Sequence, residues 1–238
     1  MQWKHRTKLS WLQERQKHLT ASDIYSLIPY TKTGRPKKIT EDDYLKIWAK
    51  KQVQLTEDDC LSFGAAARGH LLEPYAVDSF NASCPGLNLK HIDDELYCSA
   101  VSTYPYSLAW SPDAITDDET VAGEIKSYSA ERHIATIYTD KMECEERWQL
   151  ATAMTVTPSI ERGFLILYNP DLYKCQLAWK SYTREELANE IDIIVEVEES
   201  FNDWVCEIEL DLPEHAQSLW TPMAIENSIL EKQKLNPI

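Results

Sequence analysis

The sequence has no apolar run approaching the roughly 20 residues that a membrane-spanning helix requires. Its first residues, MQWKHRTKLSWLQERQK, are basic but carry no apolar core, so they do not read as a secretory signal. The chain is therefore expected to stay in the cytoplasm and to have no membrane partner. The six cysteines, Cys60, Cys84, Cys98, Cys144, Cys175 and Cys206, include no CxxC or other tight pair. That spacing encodes neither a zinc site nor an iron–sulfur cluster, and free, mostly buried thiols are expected. Positive charge is scarce as well: 24 Lys and Arg face 39 Asp and Glu, for a net charge of −15. Such a balance argues against a protein that binds nucleic acid over its whole surface. The sequence contains no internal repeat.

What is present fits one soluble domain: 238 residues, 43% of them hydrophobic, are enough for a substantial core. The positive charge is concentrated. Residues 1–51 hold 12 of the Lys and Arg against 5 acids, a balance of +7, while the other 187 residues carry 12 against 34, or −22. This predicts a local anion-facing surface on an acidic body. Trp3, Trp11, Leu19, Ile24 and Leu27 within the basic stretch predict that it is folded rather than a tail.

The order of elements is mixed. LTASDIYSLI predicts a helix capped by Thr20 or Ser22 and ended by Pro29. TKTGRPKK is a basic loop, and EDDYLKIWAKKQ restarts a helix with acids at its start and lysines at its end, matching the macrodipole. LSFGAAARGHLLEPYAVDSFNAS predicts a further helix, interrupted or kinked at Pro74. Strands are then expected over NLKHID, ELYCSAV, SLAWSPDAI and TVAGEIKSY. ECEERWQLATAMTV reads as a helix, ERGFLILYNP and KCQLAWKSY as strands, and TREELANEIDIIVEVEESFNDWV as a long helix opened by the Thr183–Glu186 capping box. This is an α/β (α+β) class, a sheet with helices against its faces. One domain is expected over 1–238, with a core at about 11–204 and a C-terminal extension at about 205–238.

One hairpin concentrates the chemistry. Asp113 follows Ser-Pro, and Glu124 and Lys126 lie two residues apart on the next apolar strand, so both project to one face while Ile125 points to the other. Two carboxylates from adjacent strands converge naturally on a hard divalent cation, the Ile125 carbonyl can add an oxygen, and Lys126 can orient or help deprotonate an attacking water. Alone, the spacing of Asp113, Glu124 and Lys126 is a weak signal, because surface Glu/Lys pairs are common.

With the hairpin's own SPDAI and EIK, five motifs follow in order: WLQERQKHLTASD, GHLLEP, SPDAI, EIK and RWQLATAMTV. Together these motifs, from Trp11 to about Trp204, resemble the lambda-exonuclease (YqaJ-like) group of the PD-(D/E)xK nuclease superfamily. The resemblance implies a restriction-endonuclease-like core with a central mixed sheet. It implies Asp113, Glu124 and Glu73 as metal ligands with the Ile125 carbonyl, Lys126 as the catalytic lysine, and Gln149 as a hydrogen-bonding residue of the active site. Arg15 and Ser22 would lie at a pocket for the DNA 5'-phosphate, and Lys32, Arg35, Lys37 and Lys38 would face the DNA backbone. The implied activity is magnesium-dependent 5'-to-3' digestion of one strand of linear duplex DNA, with two ions and with manganese as a substitute. It leaves 3' single-stranded overhangs for recombination by strand annealing, typically as a trimer beside a single-strand annealing protein, in a phage or prophage setting. Two departures stand out: Ala114 occupies a position where the family often has glycine, and SLIPYTKTGRPKKITEDD matches only loosely.

The residues themselves agree in part. The Arg15 guanidinium has the fork geometry for a terminal phosphate, and Ser22 or helix-terminal amides can add donors. Read singly, Glu73 and Gln149 are ordinary helix-surface residues, Arg15 a surface partner of Glu14 or Asp23, and His18, His70 and His91 isolated. Trp110 is expected to pack under the hairpin. Two other functions fit the same residues: a structure- or sequence-specific endonuclease, and a non-catalytic DNA-end-binding protein.

Overall fold

Threonines start several of the helices described. In the computed structural model, which describes residues 2–4, 7–30, 35–60, 64–93, 95–99, 104–139 and 144–219, strand β1 (Gln2–Lys4) precedes helix α1 (Lys8–Gln16). The Thr7 hydroxyl accepts from the Ser10 N–H at 3.1 Å at the start of α1. Strand β2 (Leu19–Thr20) leads into α2 (Ala21–Leu27), where the Asp23 carboxylate reaches back to the Thr20 N–H at 3.1 Å. Asp43 does the same for Thr40 at 2.9 Å before α3 (Glu41–Lys51). Each such cap satisfies orphan donors of a helix start and contributes about 1 kcal/mol.

Helix α4 (Ala65–Ser83) runs unbroken past Pro74. Strands β3 (Lys90–His91), β4 (Glu95–Cys98), β5 (Leu108–Trp110), β6 (Ala114–Ile115) and β7 (Val121–Lys126) follow, then α5 (Ala130–Thr139), α6 (Cys144–Val156), β8 (Arg162–Tyr168), β9 (Leu177–Thr183) and α7 (Ala188–Leu219). The expected box before α7 is present, with the Thr183 N–H donating to Glu186 at 2.7 Å.

The strands form two sheets rather than one. The larger is ordered β3-β6-β7-β8-β9, with β7 and β8 parallel and the other pairs antiparallel. Helices α5 and α6 make the crossover that a parallel pair demands. The smaller sheet, β1-β4-β5-β2, pairs β2 with β5 in parallel, setting Leu19 opposite Leu108 and Thr20 opposite Ala109. SLAWSPDAI, expected as one strand, is therefore divided between the sheets, and Ser111-Pro112-Asp113 bridges them. Pro112 has no N–H for a ladder, which suits it to this break. Helix α5 was not expected at all; its β-branched Ile134, Thr136, Ile137 and Thr139 are weak helix formers.

The two faces of the larger sheet are covered by different helices. Ile125, Ala114, Phe164 and Ile166 pack with Ala76, Val77 and Phe80 of α4. Ala122, Ile115, Leu165 and Leu167 pack with α2, α6 and α7. Alternation along β7 thus sends Ile125 toward α4, as predicted, and Glu124 and Lys126 toward the α6 side. Helix α6 rides close on β8: a Cβ at Gly163 would lie 3.0 Å from Leu150 and 3.3 Å from Met154. Of the five cysteines whose side chains are described, all are free but only Cys98 is buried. The expectation of mostly buried thiols is corrected by Cys175, in the turn after β8, and Cys206, on the outward side of α7; both are exposed.

The long helix expected over 183–205 forms as α7 and continues past that bound through Pro213 to Leu219; residues 220–238 fall outside the described residues. Its inward face holds the segment before β5. Buried Glu198 accepts from the Leu108 N–H at 2.9 Å, and Asn202 accepts from the Tyr106 N–H at 2.8 Å and donates to the Tyr106 carbonyl at 3.0 Å. An Asn202→Ala change leaves both Tyr106 groups without these partners, at about 1–3 kcal/mol for each buried group. We expect urea denaturation to show a loss of about 2 kcal/mol or more. A loss below about 0.5 kcal/mol, the range of an ordinary surface change, would show that this latch contributes nothing.

Candidate active site

Between the two sheets lies a cleft of about 150 Å³, lined by residues from well-separated stretches of the chain, among them Arg15, Ser22, Glu73, Asp113, Glu124 and Gln149. Asp113 sits in the bridge after Pro112, and its Oδ2 accepts the Ile125 N–H at 2.7 Å. Burial, and next the charge of Glu124, push the Asp113 carboxyl well above the ordinary range, against the pull of Lys126 and the Ile125 N–H. Glu124 is not at a strand end but in the middle of β7, 7% exposed, and it accepts from Lys126 Nζ at 2.5 Å. Burial lowers the Lys126 ammonium, but the charges of Glu124 and Asp113 outweigh it and hold its pKa above the usual range.

Glu73 faces inward from α4 and is 9% exposed. Its two oxygens meet His70 Nδ1 at 3.0 Å and His91 Nε2 at 3.3 Å. Burial raises this carboxyl, but the hydrogen bonds and charge of His70 and His91 together bring it below the ordinary range. The histidines expected to be isolated are therefore engaged. His18 likewise meets Ser107 Oγ at 2.9 Å and Cys98 Sγ at 3.4 Å. Contacts across 18 residues, such as Glu73 to His91, leave no local pattern in a sequence.

The other end of the cleft is cationic. The Arg15 guanidinium stacks over the Trp11 ring, 4.4 Å from its centroid, with Lys8 Nζ also over that ring at 3.8 Å. Burial lowers the pKa of Arg15, and Asp23, Asp113 and Glu124 act against it. Arg15 pairs with neither Glu14 nor Asp23. Glu14 is taken by Lys17 at 2.7 Å and His18 at 3.4 Å, and Asp23 by Lys51 at 2.5 Å. Ser22 lies exposed at the start of α2, its Oγ 3.2 Å from Thr20 Oγ1. In the basic loop, Lys37 Nζ donates to the Ser26 carbonyl at 2.9 Å, so it caps the end of α2; Arg35 and Lys38 are exposed; Lys32 lies outside the described residues. Trp110 is buried with its ring against Tyr97, as expected.

The donor set suits magnesium. Among the described residues no three His, Cys, Asp or Glu side chains are grouped so as to hold a metal ion by themselves. Magnesium, however, keeps several waters and usually takes one or two protein carboxylates plus substrate phosphate. Asp113 and Glu124 with the Ile125 carbonyl are such a set. Gln149 Oε1 and Ser111 Oγ, both of cleft-lining residues, are buried without a hydrogen-bond partner in the protein. Native interiors rarely leave such atoms unmatched unless something else meets them.

Sheet order and covering helices together define a mixed α/β fold, the class expected from the order of elements. Specifically, the chain is similar to LHK-Exo, an alkaline exonuclease from Laribacter hongkongensis, with a TM-score of 0.66 and 22% identity over 87% of this chain and 98% of that one. The crystal structure of LHK-Exo in complex with dAMP aligns comparably, with a TM-score of 0.65 and 21% identity over 88% of this chain and 96% of that one. No family model and no curated protein matches the sequence.

The Lys51–Asp23 pair is the support of the cationic end. Its side chains are 7% and 14% exposed, and Asp23 also takes the Thr20 hydroxyl at 2.7 Å. Burial pushes the Asp23 carboxyl up, but Lys51 and Thr20 together leave it lowered. Burial likewise lowers the Lys51 ammonium, less fully offset by Asp23. A Lys51→Met change keeps the bulk and abandons the carboxylate, which should cost about 3 kcal/mol in chemical denaturation. Unchanged stability would mean that solvent or Arg15 takes over the partnership.

Proposed function

We propose that this chain is a magnesium-dependent 5'-to-3' exodeoxyribonuclease that degrades one strand of linear double-stranded DNA and leaves 3' single-stranded overhangs. One observation carries the reading. A single cleft is lined by the Asp113 and Glu124 carboxylates, the latter held by Lys126 from beside the cleft, and by Arg15, which forms no ion pair with an acid among the described residues, an arrangement of charge that suits a phosphodiester beside a terminal phosphate. The similarity in fold to an alkaline exonuclease supports it.

On this reading Asp113, Glu124 and the Ile125 carbonyl hold the ions, with Glu73 completing the set; manganese can replace magnesium. The ions supply Lewis-acid activation of water and phosphodiester. Lys126 orients the attacked phosphate by charge, Gln149 accepts a hydrogen bond from the reacting group or its water, and the protein excludes bulk water around them. Arg15 binds the 5'-phosphate through two parallel N–H bonds, with Ser22 and the α2 amides adding donors. Each cleavage then presents a new 5'-phosphate to the same pocket. Arg35 and Lys38, and Lys32 of the same loop, meet the backbone farther along; Lys37 contributes less, being turned toward Ser26.

Three substrates test this. Linear duplex should be digested with Mg²⁺ or Mn²⁺, and circular plasmid should remain intact; cutting of the circle would favour a structure- or sequence-specific endonuclease. Activity persisting in excess EDTA, or a Glu124→Gln variant that still turns over, would refute metal catalysis, and absence of cleavage under all conditions would leave an end-binding protein. With 5'-phosphate and 5'-hydroxyl ends compared, Arg15→Ala should lose about ten- to a hundredfold of the preference for phosphate while still cleaving slowly.

We also propose that the active form is a ring-shaped homotrimer, working beside a single-strand annealing protein in recombination in the cytoplasm of a phage-infected or lysogenic host. A net charge of −15 requires the DNA to be shielded from most of the surface. Light scattering at micromolar concentration should give three chains per particle; a monomer would contradict it.

A further inference from the structure

Glu73 is held from both sides by imidazole nitrogens, but its two partners differ. His70 is on the same helix with 56% of its side chain exposed, whereas His91 is on β3 with 17% exposed. His91 does not itself line the cleft, although its neighbours Ile92 and Asp93 do. Its place is set by antiparallel pairing with Ala114 of β6, and the adjacent Ile92 N–H donates to the Asp113 carbonyl at 3.1 Å. On the other side, Leu89 exchanges hydrogen bonds of 2.9 and 2.8 Å with the Asn81 side chain of α4. The short segment Leu89–Ile92 therefore ties α4 to the hairpin twice. It holds the backbone of Asp113 through Ile92 and the carboxylate of Glu73 through His91.

We propose that His91 is a positioning residue. By fixing the Glu73 carboxylate relative to Asp113, it makes the two acids close on the same cation. A carboxylate on a helix can rotate about its side-chain bonds, and a donor anchored to the partner acid's own strand removes that freedom. Asp93, 3.8 Å from the same nitrogen and 82% exposed, is too distant and too solvated to compete for it. The inference rests on the metal reading given above. Outer partners of this type change metal affinity by about 10–100-fold when removed.

The test compares His91→Gln, which keeps an N–H donor, with His91→Leu, which keeps bulk without one. DNA-free protein is titrated with Mn²⁺ by calorimetry, and the Mn²⁺ concentration for half-maximal digestion is measured alongside. Leu should weaken Mn²⁺ binding about 10–100-fold and raise the half-maximal concentration by the same factor, with turnover at saturating metal reduced much less; Gln should recover most of the affinity. Should the Leu variant fail to fold, His91→Asn, whose amide is too short to span the gap, takes its place. Equal Mn²⁺ affinity in wild type and the folded Leu or Asn variant overturns the role of His91 and leaves the metal reading standing. Wild-type protein that binds no Mn²⁺ overturns both.

Discussion

Three carboxylates, Glu73, Asp113 and Glu124, share one cleft, and the rest of the architecture answers that constraint. Two like charges 4 Å apart repel by about 4 kcal/mol where the effective dielectric is near 20. The fold meets this with specific groups: the Lys126 ammonium on Glu124, the Ile125 N–H on Asp113, and two imidazoles on Glu73. Each group depends on a wider contact. Buried Asn169 donates to the Tyr128 carbonyl at 2.9 Å and accepts from Arg68 of α4 at 3.2 Å, so the helix bearing Glu73 is tied to the end of the strand bearing Lys126.

The basic excess of residues 1–51 does not form one continuous surface. Lys17, Lys46 and Lys51 pair with acids, and Lys37 caps a helix. What remains in the cleft is Arg15, propped on Trp11 and separated from Asp23 by the claim of Lys51 on that carboxylate. In the cleft that guanidinium stands beside Lys8 over the same ring, while the nearby acids Glu14 and Asp23 are taken by other cations.

Much of this was legible in the sequence where the information is local. Alternation placed Ile125 opposite Glu124 and Lys126, and the Thr183–Glu186 spacing predicted a box that the structure contains. The division of SLAWSPDAI was not legible, because β5 and β6 are three and two residues long and show no period. Helix α5 was missed because β-branched residues argue locally against a helix that packing nonetheless forms. The candidate ligands Glu73, Asp113 and Glu124 were named from motif order, whereas the His70 and His91 contacts to Glu73 depend on how α4 and β3 are docked. Likewise, the Lys51–Asp23 pair that frees Arg15 spans 28 positions and carries no motif.

The pairing of β2 with β5 has a consequence for biosynthesis. Leu19 must wait for Leu108, and the Leu108 N–H must in turn wait for Glu198, 90 residues later. A chain made from its N-terminus at about 5–20 residues per second carries both halves of the cleft for several seconds before the helix that latches them has left the ribosome. During that interval the acids lie on unassembled strands and the arginine lacks its setting. The cleft thus acquires its final setting only once the chain through Glu198 has emerged.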